Sequence, residues 1–180
     1  MRLEPIENPS NPLLKIAYWF SRRQFGKVLT PLRVIYSRKF ALLQFAMKIA
    51  KFEEKQNSLA PELRVLIKLV AATANGCSFC QDIALATAVR EKFGTAKFVA
   101  LMNGDGLEAF TEKERSVIAV IRQYAAEKRV SDENFAALRK HFDETAIVEI
   151  LALNAFEHFY NALTIPLEIE SDGLRKLAEK

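Results

Sequence analysis

Cys77 and Cys80 are the chain's two cysteines, and they stand three residues apart in Asn75-Gly76-Cys77-Ser78-Phe79-Cys80. Two cysteines placed at random in a chain of this length would show that spacing about one time in a hundred. The chemistry it points to is thiol–disulfide exchange. The segment reads as the opening turn of a helix, where unpaired backbone N–H groups and the positive end of the helix dipole favour a thiolate. A second thiol one turn away is near enough to close a disulfide, so the pair can pass two electrons between dithiol and disulfide states. Zinc is the rival use, but it asks for four ligands, or three and a water, and the chain offers two cysteines and two distant histidines. No glycine-rich phosphate loop and no carboxylate cluster of a metal-dependent hydrolase is present. The chemistry therefore calls for no bound metal or organic cofactor.

A cysteine nucleophile needs a route for its proton. Asp82 lies two residues beyond Cys80, on the opposite side of an ideal helix, and reads as a relay carboxylate or as a first-turn acid favoured by the dipole. Glu62, on the helix before the pair, approaches it if the hairpin is antiparallel, and is equally a first-turn carboxylate after Pro61. Lys68, on that helix, has the simpler role of reaching to solvent along its aliphatic stem. Asn154, Glu157, His158 and Asn161 form a polar stripe at i, i+3, i+4 and i+7 in an otherwise apolar stretch, and polar groups on a core-facing stripe need partners. His158 suits a proton shuttle near neutral pH; a buried hydrogen-bond network or a subunit contact is the plainer account. His141 is read as helix-terminal and exposed. Phe79, Phe156 and Phe159 are candidate walls of an apolar pocket, although aromatics in helices are more often ordinary core.

The elements that must position these groups are helices, since nothing alternates long enough to make a strand. Helices are expected over 13–25, ended by Gly26, then from Pro31 to about Gln56, and from Pro61 to the Asn75-Gly76 turn. The cysteine helix should run over 77–92, followed by a short helix over 95–102 and a loop over 103–106. Thr111 and Glu114 form a capping box for a helix to about Lys128. Ser131 and Asp143 are the next caps, the latter opening a long apolar helix to about Leu163 that Pro166 ends. The fold class is all-α, a helical bundle in one domain over 1–180. Its parts are a basic aromatic N-terminal helical arm over 1–52, a core over 53–166 and a polar tail over 167–180.

Half the residues are hydrophobic, enough for a substantial core without staples. The polar, proline-rich start lacks a secretory pattern, and no run reaches the ~18 apolar residues of a membrane span. A cytoplasmic location is expected, where an isolated cysteine pair is more often catalytic or redox-sensing than structural. The net charge is only +4, but no Asp or Glu falls between Asn8 and Phe52 while nine Lys and Arg do, with nearly half the aromatics. A surface for anionic lipid, nucleic acid or an acidic partner is one reading. A pair of amphipathic helices with a solvated basic face is preferred, because no nucleic-acid motif accompanies the charge.

The apolar helix from Leu63 to Ala74, running into Asn75-Gly76-Cys77-Ser78-Phe79-Cys80, resembles the core of the carboxymuconolactone decarboxylase and alkylhydroperoxidase D-like family. Ile147-Val148-Glu149-Ile150 with Asn154 and Asn161 is similar to its C-terminal helix, so the resemblance spans roughly 53–166. It implies an all-helical homo-oligomer, a trimer or hexamer, that reduces a hydroperoxide or acts as a disulfide reductant in antioxidant defence. It implies that Cys80 attacks the peroxide and becomes a sulfenic acid, that Cys77 resolves it as a disulfide, and that a thiol or protein reductant restores the dithiol. The family's relay glutamate, twelve residues before the first cysteine, and histidine, four after the second, fall here on Val65 and Ala84. The chain has either lost that relay or rebuilt it, and a rebuilt relay from Glu62 or Asp82 with His158 is the expectation. Two other functions stay open: a decarboxylase or lactone-processing enzyme, which needs no cysteine pair, and a non-catalytic redox sensor or scaffold.

Overall fold

The computed structural model describes residues 1–178. Among these, nine α-helices follow one another with no strand: α1 Pro12–Phe25, α2 Phe40–Lys55, α3 Pro61–Asn75, α4 Ser78–Arg90, α5 Ala96–Met102, α6 Glu112–Glu127, α7 Asp132–Arg139, α8 Glu144–Thr164 and α9 Leu174–Ala178. The fold is the all-α bundle expected, and α3 is its axis. Leu66, Ile67, Leu69, Val70, Ala71 and Ala72 of α3 are buried almost all round the helix, as required of an element covered on several sides. It packs against α4, α6 and α8, which bring Ala84, Leu85 and Ala88, then Val117, Ile118, Val120 and Ile121, then Ile147, Ile150 and Leu153.

Local chemistry sets the helix ends. Pro12 and Pro61 each occupy a first-turn position, where the missing N–H costs nothing. Thr111 and Glu114 form the reciprocal capping box of α6, while Ser131 and Asp143 accept the N–H groups of Asn134 and Ala146.

The second expected helix is broken in two. Its first part is a single π-helical turn, Leu32–Tyr36, in which Ser37 N–H reaches back five residues to Leu32 O at 3.1 Å. The Ser37 hydroxyl donates to Arg33 O and the Arg38 guanidinium to Val34 O at 2.7 Å. These side chains take carbonyls that a continuing α-helix needs, and Lys39 leaves the helical region, at φ −138° and ψ 86°, before α2 begins.

The polar segment after Pro166 folds back as structure in its own right. A 3-10 turn, Ile165–Leu167, leads to buried Ile169 and Leu174, and α9 packs on α4; residues 179–180 of that segment lie outside the described residues. Asp172 accepts hydrogen bonds from Thr30 N at 2.7 Å and Thr30 Oγ1 at 2.8 Å and pairs with Lys27 at 2.8 Å. The C-terminal segment is thereby tied to the stretch between α1 and the π turn. In the arm, Leu14, Tyr18, Val28 and Leu32 form a satellite core. The other face of α1 exposes Leu13, Ile16, Trp19 and Phe20, with the Arg23 guanidinium over the Trp19 ring.

Candidate active site

Asn75 ends α3, and Gly76 takes φ +73°, a left-handed conformation that favours glycine. The chain reverses there and delivers Cys77 as the N-cap of α4, its sulfur accepting the Cys80 N–H at 3.3 Å. Cys77 and Cys80 form a disulfide with their Cα atoms 5.3 Å apart. The helix-opening position read from the sequence is the one observed. Both residues are deeply buried, at 1% and 3% exposure. Around them lie Val34 and Ile35 of the π turn, Phe79 of α4, and Ile169 and Leu174 of the C-terminal segment.

Three side chains on one face of α8 meet the sulfurs or stand directly behind them. Asn161 Nδ2 donates to Cys80 Sγ at 3.1 Å and to Glu157 Oε1 at 2.7 Å. Thr164 Oγ1 lies 3.1 Å from Cys77 Sγ and 3.7 Å from Cys80 Sγ. Asn75 fixes the Asn161 amide by donating to its Oδ1 at 2.8 Å, and lies 3.2 Å from His158 Nδ1. Glu157, Asn161 and Thr164 follow at i, i+4 and i+7, all buried. The polar stripe found in the sequence does carry the site's hydrogen bonds, and Thr164 extends it by one turn. Thr164 and Asn75 were missed as partners: a threonine near a proline stop and an asparagine before a glycine are sufficiently explained as helix-end residues.

Behind this face sits a charged group. Lys68 Nζ pairs with Glu53 Oε2 at 2.9 Å, with 27% of the lysine side chain exposed. Burial would depress Lys68, but the Glu53 and Glu157 carboxylates outweigh it and hold the ammonium above its ordinary value. Burial pushes Glu157 up to about 7, against the pull of Lys68 and the Asn161 N–H, and Glu53 adds to the rise. Lys68 therefore serves carboxylates rather than reaching freely to solvent.

The expected relay is arranged differently. Glu62 sits at the opposite end of α3, roughly 20 Å from the pair at 1.5 Å rise per residue, and binds Lys97 at 2.6 Å. The length of α3, 15 residues, by itself puts its first turn that far from the α3–α4 turn. Asp82 is buried but faces the C-terminal segment, accepting from Ser171 Oγ at 2.8 Å, Leu174 N at 2.8 Å and Arg175 N at 2.9 Å. His158 is separated from the sulfurs by Asn75 and Asn161; burial, then Lys128, hold it below its ordinary value, and its ring meets Tyr124 edge-on at 5.5 Å. Val65 and Ala84, the positions of the family relay, are buried in the apolar core.

A shallow cavity of about 260 Å³ opens beside the site, lined by Asn75, His158, Asn161, Ala162, Ile165 and Pro166. The expected aromatic walls do not line it: Phe156 stacks edge-on with Phe52 and Phe159 with Phe45. A larger cavity, about 350 Å³, lies between α1, α4 and α9 and has no cysteine in its lining.

Fold and site together define an all-helical protein with a buried Cys-x-x-Cys pair at a helix N-terminus, faced by an amide and a hydroxyl from a long C-terminal helix. The model of the carboxymuconolactone decarboxylase family matches residues 41–123 of this chain. That match holds the cysteine pair; α8 lies beyond it. Over 170 residues the chain is 26% identical to an uncharacterised protein of Escherichia coli K12, YnjA, covering 93% of each chain. Its fold is that of the debrominase Bmp8, solved as a cysteine-to-alanine variant in complex with 2,3,4-tribromopyrrole, at TM-score 0.82, 18% identity and coverage of 99% of this chain and 96% of that one. A peroxidase-related protein of Ralstonia eutropha JMP134, described as an alkylhydroperoxidase AhpD core, superimposes at TM-score 0.82 with 15% identity, covering 98% and 96%.

Proposed function

We propose that the protein is a thiol-dependent reductase that turns over a hydroperoxide through Cys80 and Cys77, in a reducing cytoplasm and as a homo-oligomer. The observation that carries this reading is the Asn161 N–H donated to Cys80 Sγ at the start of α4. A fixed amide donor and the helix dipole both favour a thiolate there, and Asn161 also lines the open cavity, through which a small peroxide would reach that sulfur. The Cys80 thiolate attacks the peroxide oxygen, the O–O bond breaks, and the departing alkoxide takes a proton to leave as alcohol, with Cys80 oxidised to a sulfenic acid. The Cys77 thiol then displaces water from that sulfur and the disulfide forms. An external thiol reductant returns two electrons and two protons.

A second reading has support in the likeness to the debrominase, which spans nearly the whole chain, α8 and arm included. The same dithiol would supply the two electrons for reductive loss of halide from an aryl halide, the ring gaining hydrogen as the disulfide forms.

The test is anaerobic oxidation of the reduced protein by hydrogen peroxide and an organic hydroperoxide, following thiols and intact mass for wild type, Cys77→Ser and Cys80→Ser, then turnover with a thiol reductant. Rapid loss of two thiols, with a sulfenic acid trapped only in Cys77→Ser, is the expected result. Reaction no faster than an ordinary thiol, with bromide released from 2,3,4-tribromopyrrole, would move the assignment to dehalogenation. A disulfide that forms without turnover would indicate a redox sensor. Turnover of a lactone or small organic acid that survives Cys80→Ser would restore the decarboxylase reading.

A further inference from the structure

Peroxide chemistry at the cysteine pair leaves one deeply buried titratable group unassigned. Glu157 is 2% exposed, and its carboxylate meets the same amide nitrogen that meets Cys80 Sγ. One nitrogen carrying two trigonal hydrogens holds two acceptors on its two sides, which puts the carboxylate oxygen and the sulfur about 5 Å apart. We propose that Glu157 and Cys80 share one proton in the reduced protein, and that Glu157, acting through Asn161, is the positioning residue that sets the ionisation of Cys80. This deepens the thiol-redox reading and rests on it.

The charges around the pair explain why one proton is shared rather than lost. Lys68 is the cation that faces Glu157 from α3, and it is already bonded to Glu53 of α2. From α8 and the π turn, Tyr160 and Tyr36 lie near this group, both pushed upward by burial and so uncharged near neutral pH. His158 is turned to Asn75 and Tyr124 and is kept neutral by burial and by Lys128, the residue that ends α6. Asp82 of α4 is engaged by the C-terminal segment. One ammonium thus faces two carboxylates, and a Cys80 thiolate would be a third anion. At the effective dielectric of a protein interior, two anions about 5 Å apart disfavour the doubly ionised form on the order of a hundredfold. Such a pair titrates in two macroscopic steps that belong to both groups. With the disulfide closed there is no thiol to couple to, and Glu157 sits at about 7.

The proton balance follows. Reduction of the disulfide takes up two electrons and two protons; one proton stays on the Cys77 thiol and the other is shared between Cys80 and Glu157. In the form with Cys80 as thiolate and Glu157 as acid, attack on ROOH gives the Cys80 sulfenic acid and an alkoxide, which takes a proton from solvent and leaves as ROH, and Glu157, with the thiolate charge gone, releases its own proton to solvent. Cys77 then closes the disulfide with loss of water, leaving Glu157 ionised.

Two measurements test this, and neither needs hydroperoxide turnover. In full-length Cys77→Ser protein, the rate of Cys80 alkylation by iodoacetamide against pH should rise in two steps. Adding E157Q should collapse the profile to one step, with alkylation about tenfold faster near pH 8, where Glu157 would otherwise compete for the shared proton, and nearly unchanged near pH 6, and Glu157→Asp should restore two steps. In wild type, infrared titration of the Glu157 carboxyl should show it staying protonated to higher pH in the dithiol than in the disulfide form, which needs no variant that has to fold. Should peroxide turnover exist, E157Q should speed it near pH 8 along with alkylation, whereas a merely structural role would lower both. Identical alkylation profiles with and without E157Q, or a carboxyl titration indifferent to redox state, would overturn the shared proton and leave the peroxidase reading intact. Absence of peroxide turnover with the predicted coupling present would do the reverse.

Discussion

At Glu157 the site and the stability of the fold meet. With the disulfide closed, burial raises this carboxyl from an ordinary 4.5 to about 7, so the folded protein holds a proton there that the unfolded chain releases between those values. The sign is that of a raised group: its contribution is full below about pH 4.5 and is lost as pH rises through about 7. For a fully buried group the difference amounts to about 3 kcal/mol. Urea unfolding of the oxidised protein at pH 5 and at pH 8 should therefore show wild type losing on that order of stability across the interval, with E157Q losing clearly less. Equal pH dependence in the two proteins would mean that Glu157 is ionised throughout. Glu62 provides the contrast, since its ion pair with Lys97 stands in a part-exposed position at the far end of α3. Exposed pairs of that sort are worth a few tenths of a kcal/mol to about 1 kcal/mol.

Among the elements, α4 has two functions that Asp82 and the cysteines divide between them. Its first turn carries the disulfide, and from another side of the same helix Asp82 clasps the segment that leads into α9. A buried carboxylate that accepts three hydrogen bonds is costly to remove, because the donors lose their partner in an apolar setting. Asp82→Ala should cost about 2–4 kcal/mol in thermal unfolding and raise hydrogen exchange at the amides of Ile169 and Leu174. Unchanged exchange there would show that apolar contacts hold the segment without the clasp. The π turn at Leu32–Tyr36 belongs to this scale as well, because it places Val34 and Ile35 against the disulfide. Periodicity reads straight through it. What breaks the helix is side-chain competition for carbonyls by Ser37 and Arg38, which an apolar pattern does not register.

For the molecule as a whole, the disulfide lies beside a core that does not depend on it. It closes a loop of only a few residues, so the chain-entropy gain is about 2 kcal/mol, whereas the α3, α4, α6 and α8 core is continuous and densely buried. Reduction should lower Tm by roughly 4–8 °C and leave the far-ultraviolet circular dichroism unchanged. Loss of helical signal on reduction would instead make the pair a structural staple. The sequence by itself determined the cysteine pair, its glycine turn and its helix-opening position, because these follow from spacing and backbone conformation over a few residues. It also determined that α8 carries a buried polar stripe, since a period of 3.6 residues fixes which side chains share a face. Only the tertiary structure decided which faces meet. It paired Glu62 with Lys97, turned Asp82 toward the C-terminal segment, and brought Asn161 and Thr164 to the sulfurs, with Glu157 behind them, from about eighty residues away in the chain. Helical periodicity defines faces within an element; the packing of core side chains chooses their partners, and that choice is what gives this cysteine pair its neighbours.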